Sequence, residues 1–99
     1  MAWTLYTVET ARRSDAEAAL KDDLVARQSQ KLRDATALGG PAGSLYVLIE
    51  GSPEGVARAD ELLGPLGKHL AAQDAEPLYR KFKDEDEAAS AGMGLFFTE

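Results

Sequence analysis

The chain contains no cysteine. A disulfide framework, a thiolate nucleophile and any Cys-based zinc or iron–sulfur site are therefore excluded. Long apolar runs are missing too. The longest, Leu45 to Ile49, falls far short of the ~20 residues that span a bilayer. Histidine and tryptophan occur once each, as His69 and Trp3. Positive charge is scarce: 11 Lys and Arg stand against 17 Asp and Glu, giving a net charge of −6. The densest basic cluster, Arg80-Lys81-Phe82-Lys83, runs straight into Asp84-Glu85-Asp86-Glu87. Such a chain repels phosphate backbones, so no nucleic-acid partner is expected. The first residues pass directly into Trp3-Thr4-Leu5-Tyr6 with no basic region, apolar core or cleavage site of a signal peptide. A cytoplasmic protein with no membrane partner is the expectation.

What is present suits one folded domain over residues 1–99. The length lies near the common domain size, and 44% apolar with 28% charged residues is ordinary for a globular core. Trp3 to Glu9 is rich in aromatic and β-branched residues and reads as a strand. Ser14-Asp15-Ala16-Glu17 has the form of a capping box, and Ala16, Leu20 and Leu24 follow at helical spacing. The stretch Gln28 to Leu38 could continue that helix to a cap at Gly39. The preferred reading is a polar edge strand, because Gly39-Gly40-Pro41-Ala42-Gly43 then makes a hairpin into the next segment. That segment, Ser44 to Glu50, is apolar on both faces, as a central strand would be. Ser52-Pro53-Glu54 opens a second helix, with Ser as cap, Pro in the first turn and an acid at the positive dipole end. Val56, Ala59, Leu62, Leu63 and Leu66 follow at helical spacing, with Gly64-Pro65 expected to stop or kink the helix. Glu76 to Lys83, anchored by Leu78 and Tyr79, is predicted to be the fourth strand. Leu95-Phe96-Phe97 is available as an extra C-terminal strand.

The element order is thus βαββαβ. It implies an α+β, ferredoxin-like two-layer sandwich, an antiparallel sheet with two helices on one face. In that arrangement Val47 and Ile49 point to one face, Tyr46 and Leu48 to the other. The second face would be open. Tyr46, Leu48, Leu95, Phe96 and Phe97 are accordingly the candidate interface residues. They serve either a homo-oligomer or a tail folded back within one chain.

The passage Leu45-Tyr46-Val47-Leu48-Ile49-Glu50-Gly51-Ser52-Pro53-Glu54-Gly55-Val56-Ala57-Arg58-Ala59 resembles the strand–Gly–cap–helix segment of ACT-like regulatory domains. The resemblance implies a small-molecule-sensing or oligomerisation module. It also implies a ligand near the loop after the first strand, at a dimer contact. Here that loop is Glu9-Thr10-Ala11-Arg12-Arg13.

Arg12 and Arg13 are the candidate ligand-binding residues. Two guanidiniums before a helix N-terminus suit a carboxylate or phosphate; otherwise they are a solvated pair. His69 is the single weak catalytic candidate, a lone imidazole that could move a proton. It has no carboxylate or hydroxyl beside it in sequence, so an exposed helix-end His is the plainer reading. Gly39 to Gly43 lacks the Lys-Ser/Thr of a phosphate loop and leads into a strand. Asp84 to Glu87 lacks the alternation and glycine of a calcium loop. No metal and no cofactor is expected. The sequence therefore suggests an oligomeric regulatory or ligand-binding module without catalytic machinery, taking a small anionic ligand. The alternative is a small cofactor-free enzyme of the dimeric ferredoxin-like type, with His69 or a sheet-face Tyr as proton carrier.

Overall fold

The computed structural model describes the backbone of residues 2–97 and the side chains of residues 2–84. Strand β1 (Ala2–Glu9) leads through a 3-10 turn into helix α1 (Arg13–Ala19). Strands β2 (Ser29–Asp34) and β3 (Ser44–Gly51) follow, then helix α2 (Pro53–Leu63), the two-residue strand β4 (Lys68–His69) and helix α3 (Ala72–Phe97). The four strands form one antiparallel sheet in the order β2-β3-β1-β4. The two longest strands, β1 and β3, lie side by side at its centre, with Trp3 opposite Glu50, Leu5 opposite Leu48, Thr7 opposite Tyr46 and Glu9 opposite Ser44. Their β-branched and aromatic side chains suit a pleated surface buried on both sides.

Alternation sorts the strands into two faces. Tyr6, Val8, Val47 and Ile49 pack with Ala16, Leu20, Val25, Ala59 and Leu63 from the α1/α2 layer. Leu5, Tyr46 and Leu48 pack with Ala75 and Phe82 of α3, and with Ala35 and Leu38 from the turn after β2. Phe82 is 1% exposed and Leu48 likewise. Burial of such a side chain is worth about 1.5–3 kcal/mol, so each face carries a core of its own.

Local chemistry explains most element ends. Ser52 accepts a 3.1 Å hydrogen bond from the Gly55 N–H, and Pro53 starts α2. Both features satisfy or remove donors that a helix N-terminus leaves unpaired. Gln28 reinforces this end: its carbonyl accepts from the Ser52 N–H at 2.9 Å while its amide donates to the Leu24 carbonyl at 2.9 Å. Its side chain lies so close to Gly51 and Gly55 that a Cβ on either would collide with it. Gly39, at φ 83°, ends the turn after β2 in the left-handed region that glycine tolerates.

Several expectations are corrected. The fourth strand is Lys68–His69, and residues 76–83 belong to α3. Ala75, Leu78, Tyr79 and Phe82 recur at spacings of three and four, which is helical, and their apolar side lies on the sheet. The C-terminal segment is helical to Phe97, so there is no fifth strand there. Three helices cover both faces of the sheet instead of two covering one, and the face bearing Tyr46 and Leu48 is not open. Helix α1 begins at Arg13 without a side-chain cap, so Ser14 and Glu17 form no capping box. A 3-10 turn, Thr10–Arg12, carries the chain out of β1 and starts the helix two residues before the position a Ser14 cap would set. Glu17 instead receives Arg13 Nε at 2.9 Å. The helix also ends at Ala19, with Leu24 outside it. The preferred strand after Gln28 is present but short: it stops at Asp34, and Ala35–Leu38 is a 3-10 turn.

Candidate functional site

The face of the sheet under α3 changes character along its length. At one end Trp3 stacks on Tyr79, ring centroids 4.5 Å apart. Beside them Glu50, 8% exposed, accepts hydrogen bonds from the Tyr79 hydroxyl and from Lys83 Nζ, the latter at 2.7 Å. Burial pushes the Glu50 carboxyl up, but these two donors outweigh it and hold the group below its ordinary range. The same contact raises Tyr79 and Lys83. This cluster pins α3 to the sheet. In the middle lie the apolar Leu5 and Leu48. At the far end the positions are polar: Thr7, Glu9, Ser44 and, opposite Thr7, Lys68.

That polar end is concave. A cleft of about 430 Å³ is lined by Thr7, Glu9, Arg12, Ser44, Pro65, Leu66, Gly67 and Lys68. Three elements build it. The sheet supplies its floor. The turn after β1 carries Arg12 to its rim, and the turn before β4 supplies the opposite wall. Gly67 permits this approach: a Cβ there would stand 2.5 Å from the Thr7 carbonyl oxygen. Arg12 reaches across to the Pro65 carbonyl at 3.5 Å, the long limit of a hydrogen bond. Among the described residues neither Arg12 nor Lys68 takes part in an ion pair. Two cations, two hydroxyls and one carboxylate, Glu9, thus face one recess, the cations outnumbering the carboxylate in a chain whose net charge is negative. Such a recess attracts anions: guanidinium and ammonium donors make the stronger, charge-assisted bonds, and hydroxyls supply further donors.

The structure separates the two arginines. Arg12 lines the cleft, whereas Arg13 is spent on Glu17 in an exposed i,i+4 pair. His69 is exposed, on the edge strand and not at a helix end. It lies opposite Tyr6, ring edge toward ring face with centroids 5.2 Å apart. Tyr6 donates to Asp60 at 2.9 Å and Thr4 donates to the same carboxylate oxygen at 2.8 Å. Burial and the Asp60 carboxylate push the Tyr6 hydroxyl well above its ordinary value, which fixes it as a donor. Tyr46 and Leu48 are buried beneath α3 of their own chain. The side chains of Leu95, Phe96 and Phe97 lie outside the described residues.

Lys68, Thr7 and Ser44 escaped the sequence reading because cross-strand register alone brings them beside Arg12. No sequence spacing links positions 7, 12, 44 and 68; a correct placement of β4 would have been the one usable signal. Among the described residues no group of three or more His, Cys, Asp or Glu side chains is placed to hold a metal ion. No helix among them is long and apolar enough to cross a membrane. Comparison of the chain with protein-family models, with curated proteins and with solved structures finds no match in any of the three.

Proposed function

We propose that this protein is a small ligand-binding module whose ligand is a small anion held between Arg12 and Lys68. The observation that carries the reading is the cleft itself: two cations without ion-pair partners among the described residues, and the hydroxyl residues Thr7 and Ser44, line one recess in which Glu9 is the single carboxylate. The strand order β2-β3-β1-β4, with α1 and α2 together on one face, supports a ferredoxin-like frame for it. Its position at the turn after β1 supports the ACT-like reading, which expects a ligand at that turn. Oligomer formation is a separate proposal and draws no support from Tyr46 and Leu48, which are covered within the chain.

Calorimetric titration with inorganic phosphate tests the proposal. Saturable binding is expected for the unaltered chain, weakened about tenfold by either Arg12→Ala or Lys68→Ala, as loss of one charge-assisted bond implies. Unchanged affinity in the double variant would refute the reading.

A further inference from the structure

A second, smaller recess lies beside the cleft. It measures about 160 Å³ and is lined by Trp3, Thr4, Leu5, His69, Leu70, Ala72 and Ala75. Register ties the two recesses together. Thr7 of the polar cleft and Leu5 of the second recess are same-face neighbours on β1, two residues apart. Lys68 and Leu70 stand in the same relation where β4 runs on, and the Leu70 N–H bonds the Leu5 carbonyl at 3.1 Å. Two residues of strand advance about 7 Å. A cationic recess and a mainly apolar one therefore lie along a single sheet edge, their lining residues on each strand about 7 Å apart.

We infer that the ligand is an amphipathic organic anion, its charged head between Arg12 and Lys68 and its apolar tail against Trp3, Leu5 and Leu70. This deepens the anion-binding reading above and rests on it. The charge of the first recess selects the head, and the chemistry of the second selects the tail. Each methylene moved from water into an apolar site is worth about fourfold in affinity. A tail that buries two or three methylenes in this open recess gains at least about tenfold over its bare head.

The single tryptophan, Trp3, lines the tail site and reports on it directly. The experiment titrates the full chain, below micelle concentration, with octanoate and acetate, and with octyl phosphate and inorganic phosphate. Binding is followed by calorimetry and by Trp3 fluorescence. Octanoate or octyl phosphate is expected to bind at least about tenfold tighter than its bare head and to shift Trp3 emission. Whichever alkyl anion binds tighter names the head. Ala72→Phe fills the tail site from an exposed position, so circular dichroism should show a folded chain. It should reduce the alkyl anions to the affinity of their heads and leave the heads unaffected. The inference is overturned if tail length changes affinity less than threefold, or if the gain survives Ala72→Phe. Phosphate binding that depends on Arg12 and Lys68 while the tail effect is absent sinks the inference alone. Anions indifferent to Arg12→Ala/Lys68→Ala sink the anion-binding reading as well.

Discussion

Phe82 is the keystone of the second core. It is 1% exposed and shares a buried cluster with Leu5, Leu38, Tyr46 and Leu48 from the sheet and its flanking turn. Phe82→Ala removes a buried ring from a site whose walls belong to a hydrogen-bonded sheet and cannot readily collapse. Such truncations cost about 3–5 kcal/mol. A domain of this length has a total stability of about 5–15 kcal/mol, so the variant should be marginal. At about 4–8 °C per kcal/mol for domains of this size, the melting temperature should fall by roughly 12–40 °C. Thermal denaturation followed by circular dichroism measures the fall. A hydrophobic dye should also bind the variant at ambient temperature, because a loosened α3 bares Leu5 and Leu48. Truncation of Leu78, which is only half-buried on the same helix, should cost clearly less. A shift under about 5 °C for Phe82→Ala, with no dye binding, would show that α3 does not hold the second face.

The Glu50 cluster predicts a pH dependence with a definite sign. Its carboxyl lies below the ordinary value in the folded chain, so its contribution is complete above the unfolded value of about 4.3. It is lost as pH falls through the lower folded value. Glu50→Gln should therefore flatten the acid limb of a stability–pH profile and, because the same contact raises Tyr79 and Lys83, flatten the alkaline limb above about pH 10 as well, leaving the neutral range unchanged in shape. Gly55→Ala should destabilise by about 1 kcal/mol, because the new methyl displaces the Gln28 side chain from the Ser52 N–H. With Gln28 already replaced by Ala the same change should turn neutral or stabilising by about 0.5–1 kcal/mol, since Ala favours helix. A denaturant double-mutant cycle measures the sign reversal. Phosphate affinity should weaken with added sodium chloride, because Arg12 and Lys68 are both exposed and their attraction is screened. A titration series at rising salt measures that slope.

The sequence made some elements plain for physical reasons. Leu45-Tyr46-Val47-Leu48-Ile49 reads as a central strand because only burial on both faces accounts for five apolar residues in a row. Ser52-Pro53-Glu54 announces a helix because each residue answers a need of a helix N-terminus. The region after α2 was opaque. Lys68-His69 carries no strand pattern, being two polar residues whose pairing comes from β1. Leu78, Tyr79 and Phe82 then become the apolar residues of an expected fourth strand, although with Ala75 their spacing suits a helix. A strand placed at 76–83 leaves one sheet face bare, the face that α3 covers. Arg12 was legible as a cation before a helix. Its partner Lys68 was not, because only the β1–β4 register brings the two together.

The polar end of the sheet is the proposed anion site. Amide chemical-shift mapping of the isotopically labelled chain during a phosphate titration tests it most directly. Saturable shifts are expected at Thr7, Glu9, Arg12, Ser44, Gly67 and Lys68, which line the cleft with Pro65 and Leu66, with Arg13 and the Asp22–Arg58 pair on the α1/α2 side unmoved. Shifts centred on Arg13, or scattered over every exposed cation, would contradict it.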